Sequence, residues 1–466
     1  MIKFTLEEIK RATGAQIDGE GSFEISTDTR TIKKGDLYLP LKGANFDGEN
    51  FCDKALEAGA AGCFYTKEKP CEFAIKVDDT LTTYLQIANF ARQKYNPKVI
   101  GVTGSSGKTT TKEMIYSVIS EKFKTHKTFS NHNNEIGFCQ TVLSMPEDTE
   151  VLIVEMGMRG LGEIELITKY AEPDFAVITN AGSAHIGRLG SLDNIAKAKC
   201  EITTALKETL IAHDSERLRK FANFDGEKIF YSINDVEILE KRSGYSRFVY
   251  PLPCPPLEGG PESLISRRGN VYELNVEGDY NIENSLSAIE IGYKLGMSYD
   301  EIKRGLLAYR PIEKRWEAQN IKGFNIINDS YNANPESMKA SVSTFLELYD
   351  KPVVILGNMG ELGENEVEFH REVGRYLGKK FGICPHPEIK DFDPSSRGGY
   401  PEFLTVGNLA RYIGEELEKC GLDVKSFDNN IETSRYILDN LNAGSTIFLK
   451  ASRAMKFEEI IEKLKN

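Results

Sequence analysis

The sequence lacks any apolar run of about 18 residues, so no membrane-crossing helix is expected. Its opening, Met1-Ile2-Lys3-Phe4-Thr5-Leu6-Glu7-Glu8, carries early acids and no apolar signal region, so no export signal is expected. No C-x-x-C pair occurs. The eight cysteines (Cys52, Cys63, Cys71, Cys139, Cys200, Cys254, Cys384 and Cys420) are scattered, which argues against a disulfide scaffold and for buried free thiols of a cytosolic protein. There is no excess of positive charge. Acidic residues number 70 against 58 basic, a net charge of −12, which argues against a non-specific nucleic-acid binder. An anionic small-molecule substrate stays compatible, because a local cluster of donors works inside an acidic protein. Solenoid-type repeats and low-complexity tracts are also missing, and the composition excludes collagen and coiled-coil classes.

What is present is an ordinary globular composition, 40% hydrophobic and 27% charged, over 466 residues. At about 150 residues per domain that length predicts about three domains. Residues 1–96 read as a small α/β unit. Leu6 to Thr13 is a short helix, Asp36 to Leu41 a strand closed by Lys42-Gly43, Phe51 to Ala58 a helix stopped at Gly59, and Leu81 to Lys94 a long helix ending before Asn96-Pro97. Residues 97–309 form a second unit. Its continuous apolar runs Val99–Val102, Val151–Val154 and Ala176–Thr179, separated by helical segments, predict a parallel sheet covered on both faces. Residues 225–280 suit a smaller antiparallel piece, and Ser285 to Leu295 a helix stopped by Gly296. Residues 310–466 are a third, α/β unit with strands at Phe324–Ile327, Val353–Leu356 and Thr446–Leu449. Cys384 to Pro401 reads as a long surface loop. Its Cys384 and His386 are too few for a metal site, so a solvated proline-rich loop is expected.

The segment Gly101-Val102-Thr103-Gly104-Ser105-Ser106-Gly107-Lys108-Thr109-Thr110 follows a strand and opens a helix predicted over Lys108 to Lys122. Glycines let backbone amides turn inward around phosphate oxygens. The helix N-terminus adds partial positive charge, Lys108 bridges phosphates, and the Thr109 hydroxyl suits Mg2+. The common G-x-x-x-x-G-K-[ST] spacing needs Gly at 102, where Val stands, so this is a variant phosphate loop. Glu155, at the end of Val151–Val154, is placed to order the metal.

From here the chain resembles the Mur ligases, ATP-dependent amide-forming enzymes of peptidoglycan synthesis. The resemblance runs through Asp28-Thr29-Arg30, Leu41-Lys42-Gly43, Asp47-Gly48 and the phosphate loop. It continues through Asn131-His132-Asn133-Asn134-Glu135-Ile136-Gly137, Glu155-Met156-Gly157, Thr179–His185 and Ala198-Lys199-Cys200-Glu201-Ile202. Asn328-Asp329-Ser330-Tyr331-Asn332-Ala333-Asn334-Pro335 resembles the signature of the member that adds D-alanyl-D-alanine. Leu356–Gly363 with His370, and Lys450-Ala451-Ser452-Arg453, resemble the same member. The sequence departs from the family at Tyr280, where a His usually precedes Asn281, and at Cys139, Ala451 and His213-Asp214.

The resemblance implies an α/β fold of three domains: an N-terminal UDP-substrate domain, a central P-loop-type ATP-binding domain and a C-terminal Rossmann-like domain. It implies a reaction in which ATP, with two Mg2+ ions, activates the carboxylate of UDP-MurNAc-tripeptide as an acyl phosphate that D-Ala-D-Ala then attacks. Gly104, Ser105, Ser106, Gly107, Lys108, Thr109 and Thr110 would cradle phosphates. Thr109 and Glu155 would hold one Mg2+, and His185 with Lys199 a second, Lys199 being carbamylated by CO2. Lys108, His185 and Lys199 carry the chemistry. Asn281 and Asn284 would approach adenine, with helix N-capping as the alternative for Asn281. From the third domain Arg315 would reach phosphate and Asp329 would hold the ribose or orient the closed state, so the site should assemble on domain closure. Asp28, Thr29, Arg30 and Lys42 would take the UDP end. Asn332, Asn334, Lys450 and Arg453 would hold the dipeptide. A cytoplasmic monomer without membrane insertion or nucleic-acid partner is expected. The competing readings are a sister Mur-type or folylpolyglutamate-type ligase, a P-loop ATPase that drives a protein partner, and a ligase-like binding protein that has lost catalysis, against which Lys108, Thr109, Glu155, His185 and Lys199 speak.

Overall fold

The computed structural model describes residues 2–43, 45–251, 269–312, 314–382 and 399–465. Cys254 and the stretch from Cys384 through His386 to residue 398, expected to be a loop, lie outside the described residues.

The centre is a six-stranded, all-parallel sheet. Its spatial order is Glu227–Tyr231, Thr209–His213, Phe175–Ile178, Lys98–Thr103, Val151–Glu155 and Thr125–Lys127. Successive side chains of a strand point to opposite faces. Val151 and Ile153 enter one core with Ile100, Val102 and Val177, under the helix Lys108–Ile119. Leu152 and Val154 enter the other, with Val99, Ala176 and Ile178. Burial on both faces is why these strands read as unbroken apolar runs.

The N-terminal unit rests on the second of these cores, through the helices Leu6–Thr13 and Thr80–Tyr95. It holds a short parallel sheet of Ile25–Ser26, Leu37–Tyr38, Gly62–Tyr65 and Ala74–Lys76. The C-terminal sheet runs Glu317–Ile321, Phe324–Asn328, Thr446–Lys450, Pro352–Gly357, Glu402–Val406 and Asp423–Phe427. It is parallel except for its first strand. One face, through Ile327, Val354 and Phe448, joins the core that also covers the central sheet.

Several sequence expectations need correction. The helix after the phosphate loop stops at Ile119, not Lys122. The strand expected over Asp36 to Leu41 is paired only at Leu37–Tyr38. Within 225–280, Glu227–Tyr231 is a parallel edge strand of the central sheet. The antiparallel piece begins later, as Glu237–Arg242, Tyr245–Tyr250 and Asn270–Leu274. The helix expected from Ser285 starts at Asp279 and ends at Lys294, capped by Gly278 at φ 101°. Asn281 and Asn284 therefore lie within its first turns, and neither is its N-cap.

Candidate active site

Parallel α/β sheets bind ligands outside the carboxyl ends of their strands. Here that edge carries the loop after Lys98–Thr103, flanked by the ends of Val151–Glu155 and Phe175–Ile178. The register sets Val102 level with Glu155, and Thr103 level with Ile178. A cavity of about 1010 Å³ opens there. The loop lines it from Ser105 to Thr110, and from across the cleft come Arg315, Asp329, Asn332, Asn334, Glu361 and Lys450.

The loop is braced from below. Ser105 N–H donates to Asn180 O (3.1 Å) and Ser106 N–H to Asn180 Oδ1 (3.0 Å), while Ser105 Oγ donates to Gly182 O (2.9 Å). Gly104 leaves no room for a side chain: a Cβ there would fall 1.8 Å from Thr179 Oγ1. Gly107 caps the helix at φ 78°, and a Cβ there would meet Asn284 Oδ1 at 2.7 Å. The N–H groups of the first helical turn have no intrahelical partners and face the cavity edge, a ready anion site. Lys108 Nζ donates to Gly104 O at 2.6 Å. Burial pushes its ammonium below its ordinary pKa, against the charge of Glu155.

Glu155 is almost wholly buried at the foot of the loop. Its Oε1 accepts from Thr109 Oγ1 (3.2 Å) and Asn133 Nδ2 (2.9 Å). Its Oε2 has no hydrogen-bond partner and lies 3.4 Å from Lys112 Nζ. Lys112, one turn beyond Lys108, is fully buried and donates to Thr128 O at 2.9 Å. Lys199 is fully buried, and its Nζ also has no hydrogen-bond partner. Burial, and the charge of Lys108 after it, hold its ammonium well below the ordinary pKa. Lys199 lies behind the cavity wall rather than on it.

Side-chain contacts at the cavity join the C-terminal side to the central edge. Arg315 Nη2 donates to Thr109 Oγ1 at 3.0 Å, with its guanidinium 4.0 Å from the centre of the Tyr331 ring. Glu336 accepts from Ser183 N–H at 3.1 Å and from its Oγ at 2.7 Å. Glu361 Oε2 lies 2.6 Å from His185 Nδ1 and is held below the usual carboxylate range by that ring.

The expected residues separate into two places. Ser105 to Thr110, Glu155, His185, Asn281, Asn284, Arg315, Asp329, Asn332 and Asn334 share the cavity. Asp28, Thr29, Arg30 and Lys42 do not line it. They follow the paired strands Ile25–Ser26 and Leu37–Tyr38, with Arg30 Nη2 2.6 Å from Asp28 Oδ2. Several side chains have local partners. Asn281 Nδ2 donates to Glu277 O (2.6 Å), just before its own helix. Asn334 Oδ1 accepts from Ser337 N–H (2.8 Å) and caps the helix Pro335–Leu348. Lys450 is paired with Asp329 at 2.5 Å, and Arg453 pairs with Glu458 outside the cavity at 3.0 Å. Sequence reasoning assigned no role to Asn133, Asn180, Lys112, Glu336 or Glu361. Asn133, Asn180 and Glu361 stand inside quoted motifs, whereas Glu336, one residue beyond Asn328–Pro335, had no signal of its own.

Comparison with known proteins agrees with this arrangement. Residues 24–103 match the model of the Mur ligase family catalytic domain, 102–292 the Mur ligase middle domain, and 314–453 the Mur ligase glutamate ligase domain. The chain is 36% identical over 458 residues to the UDP-N-acetylmuramoyl-tripeptide--D-alanyl-D-alanine ligase of Bacillus subtilis (strain 168), covering 94% of this chain and 92% of that protein. The crystal structure of MurF from Acinetobacter baumannii superposes with TM-score 0.86 at 26% identity, covering 100% of this chain and 99% of that one. MurF from Thermotoga maritima, in complex with ADP, superposes with TM-score 0.79 at 25% identity over 95% of this chain and 97% of that one.

Proposed function

The chain belongs to the Mur ligase family, and we infer on that footing that it joins D-alanyl-D-alanine to UDP-N-acetylmuramoyl-tripeptide with cleavage of ATP. The products are UDP-N-acetylmuramoyl-pentapeptide, ADP and phosphate, a step in peptidoglycan synthesis. One observation carries the acceptor assignment. Asp329, Tyr331, Asn332, Ala333 and Asn334, from the segment that distinguishes this member, line the same cavity as the phosphate loop although they come from another sheet.

The donor carboxylate attacks the γ-phosphate, ADP leaves, and the resulting acyl phosphate is attacked by the dipeptide amine. The tetrahedral intermediate then expels phosphate. Two anions must first be brought into line, so positioning and charge neutralisation dominate. Lys108 and the free amides of the first helical turn serve the phosphates. Arg315 adds a fork of donors from the opposite wall. Asn284, packed on Gly107, fixes the base side relative to the phosphate side. Asp28, Thr29, Arg30 and Lys42 receive the UDP end away from the cavity, and Asn332 and Asn334 border the dipeptide. Asp329, held by Lys450, borders the ribose. We divide the chain functionally at 96/97 and 309/310.

The donor set fits Mg2+. Thr109 and Glu155 would supply one hydroxyl and one carboxylate with an oxygen free of hydrogen bonds, which leaves the remaining positions to phosphate oxygens and water. No cage of three or more His, Cys, Asp or Glu groups occurs among the described residues, so each ion depends on substrate oxygens. His185 and Lys199 would hold a second ion. The buried Lys199 amine without a hydrogen-bond partner suits a carbamate: a depressed pKa supplies the neutral amine that CO2 needs, and the adduct would carry a carboxylate-like negative charge. Bound there, the two ions would neutralise the γ-phosphate and the attacking carboxylate. Substrates that are nucleotide-linked and ATP-activated point to the cytoplasm.

The test is phosphate release with ATP, Mg2+ and UDP-MurNAc-tripeptide, with and without D-Ala-D-Ala, with the product weighed by mass spectrometry. Dipeptide-dependent release with a pentapeptide product is expected. Release indifferent to both peptide substrates would overturn the assignment in favour of an ATPase. Intact mass of protein equilibrated with bicarbonate, against Lys199→Ala, tests the carbamate separately.

A further inference from the structure

His185 and Glu361 belong to different sheets and meet across the cleft. Glu361 Oε2 stands 2.6 Å from His185 Nδ1, an ion-pair contact without hydrogen-bond angles, so a small turn of the ring or the carboxylate brings the N–H into line. Both residues have left-handed backbone, φ 66° at His185 and 62° at Glu361, a conformation that residues with a Cβ rarely adopt. The turns that carry them interlock through their main chains. Gly187 N–H donates to Glu361 O at 3.3 Å. A Cβ on Gly187 would fall 2.5 Å from Gly363 N, and one on Gly363 2.6 Å from Gly187 Cα. The meeting of the two side chains is thus fixed by backbone against backbone, not by two flexible side chains finding each other on a surface.

An imidazole has two ring nitrogens, and a carboxylate on one of them decides which faces a ligand. Metal-binding histidines commonly give their second N–H to such a partner, which sets tautomer and ring orientation. We propose that Glu361 is a positioning residue for His185: it holds the ring through Nδ1 so that Nε2 is the nitrogen left free for a metal ion. This rests on the reading of His185 as a metal ligand. The orienting carboxylate arrives from the C-terminal side of the cleft, so the ring is aimed only while that side is docked.

The experiment uses the full-length protein with ring-15N-labelled histidine. The chain has six histidines, and His185→Gln identifies one set of signals by its loss. The His185 ring should carry its proton on Nδ1. Glu361→Gln should move that set alone, in protein free of metal and nucleotide. Glu361 is half exposed and its backbone contacts remain in the variant, so folding should be unaffected. In the ligase assay Glu361→Gln should lower kcat about 10–100-fold and raise the Mg2+ concentration for half-maximal rate, with KM for ATP nearly unchanged. A contact that merely glues the cleft shut would instead raise KM for ATP, because Arg315 meets the nucleotide loop in the same closure. In a His185→Gln background Glu361→Gln should remove nothing further. An unmoved His185 signal, or additive losses in the double variant, would overturn the proposal. The two readings fail differently. An inactive His185→Gln beside a fully active Glu361→Gln sinks the positioning role alone. A His185→Gln enzyme with wild-type rate and Mg2+ requirement sinks the metal reading and this inference with it.

Discussion

Beneath the phosphate loop two opposite charges are sealed from water. Lys112 is 0% exposed and Glu155 2%, with Nζ 3.4 Å from Oε2. Lys112→Met keeps the length and apolar stem and deletes the charge. Thr128 O then loses its donor at 2.9 Å, a change of about 1 kcal/mol. Glu155 loses its buried partner and keeps only the charge of Lys108, Glu113 Oε1 loses its contact at 3.3 Å, and breaking such buried pairing from one side costs about 3–5 kcal/mol in all. The lower end applies, because Oε1 keeps the Thr109 hydroxyl and the Asn133 amide. In a unit of this size a loss of about 3 kcal/mol lowers the melting temperature by about 6–12 °C. Adding Glu155→Gln removes the stranded charge, so the double variant should melt within a few degrees of wild type although it carries two changes. Calorimetry or far-ultraviolet circular dichroism reads both. A single variant that melts with wild type, or a double variant no more stable than the single, would refute the claim that this pair is held together by mutual compensation.

Other outcomes follow from the same geometry. Gly107→Ala forces a side chain to φ 78° and against Asn284 Oδ1, so ADP affinity should fall at least about tenfold by calorimetric titration while the melting temperature changes little. Arg315→Ala should raise KM for ATP about tenfold, and the single tryptophan beside it, Trp316, should report the change in fluorescence on adding nucleotide. Burial opposes ionisation of Glu172, but Asn89, Gln93 and the Arg92 charge outweigh it and lower its pKa from 4.5 to about 2. A lowered carboxylate pKa gives stability that is present above pH 4.5 and lost as pH falls towards 2. Glu172→Gln should therefore flatten the acid side of the stability–pH curve between those values and leave the neutral side parallel to wild type.

The phosphate loop was legible because three cues coincide in Gly101–Thr110: a buried strand, glycines, and a helix opened by Lys-Thr. The both-face burial of the central strands was legible from Val151–Val154. Lys112 was not, since a lysine one turn after Lys108 looks like a solvated helix face. Only the neighbouring strand Thr125–Lys127 and the following Thr128 close over it. The start of the helix at Asp279 was hidden because Asn281 and Asn284 were read as ligands first. Asn334 carried a capping signature, Asn-Pro-Glu-Ser, that was passed over for a substrate role. Glu336 and Glu361 could not be found locally: each gets its meaning from a residue on another sheet, and a single sequence holds no record of that proximity.

The helix Asp279–Lys294 lies directly on Lys108–Ile119, and with it Gly305, whose added Cβ would fall 2.4 Å from Val118 Cα. The groups that face the base and those that face the phosphates therefore travel as one piece, whereas Arg315, Glu336 and Glu361 travel with the other wall. Parting the walls strips away the second set and leaves the first intact. A molecule caught open would keep the base and phosphate-loop contacts, hold nucleotide more weakly for want of Arg315, and lack the groups needed to transfer the γ-phosphate.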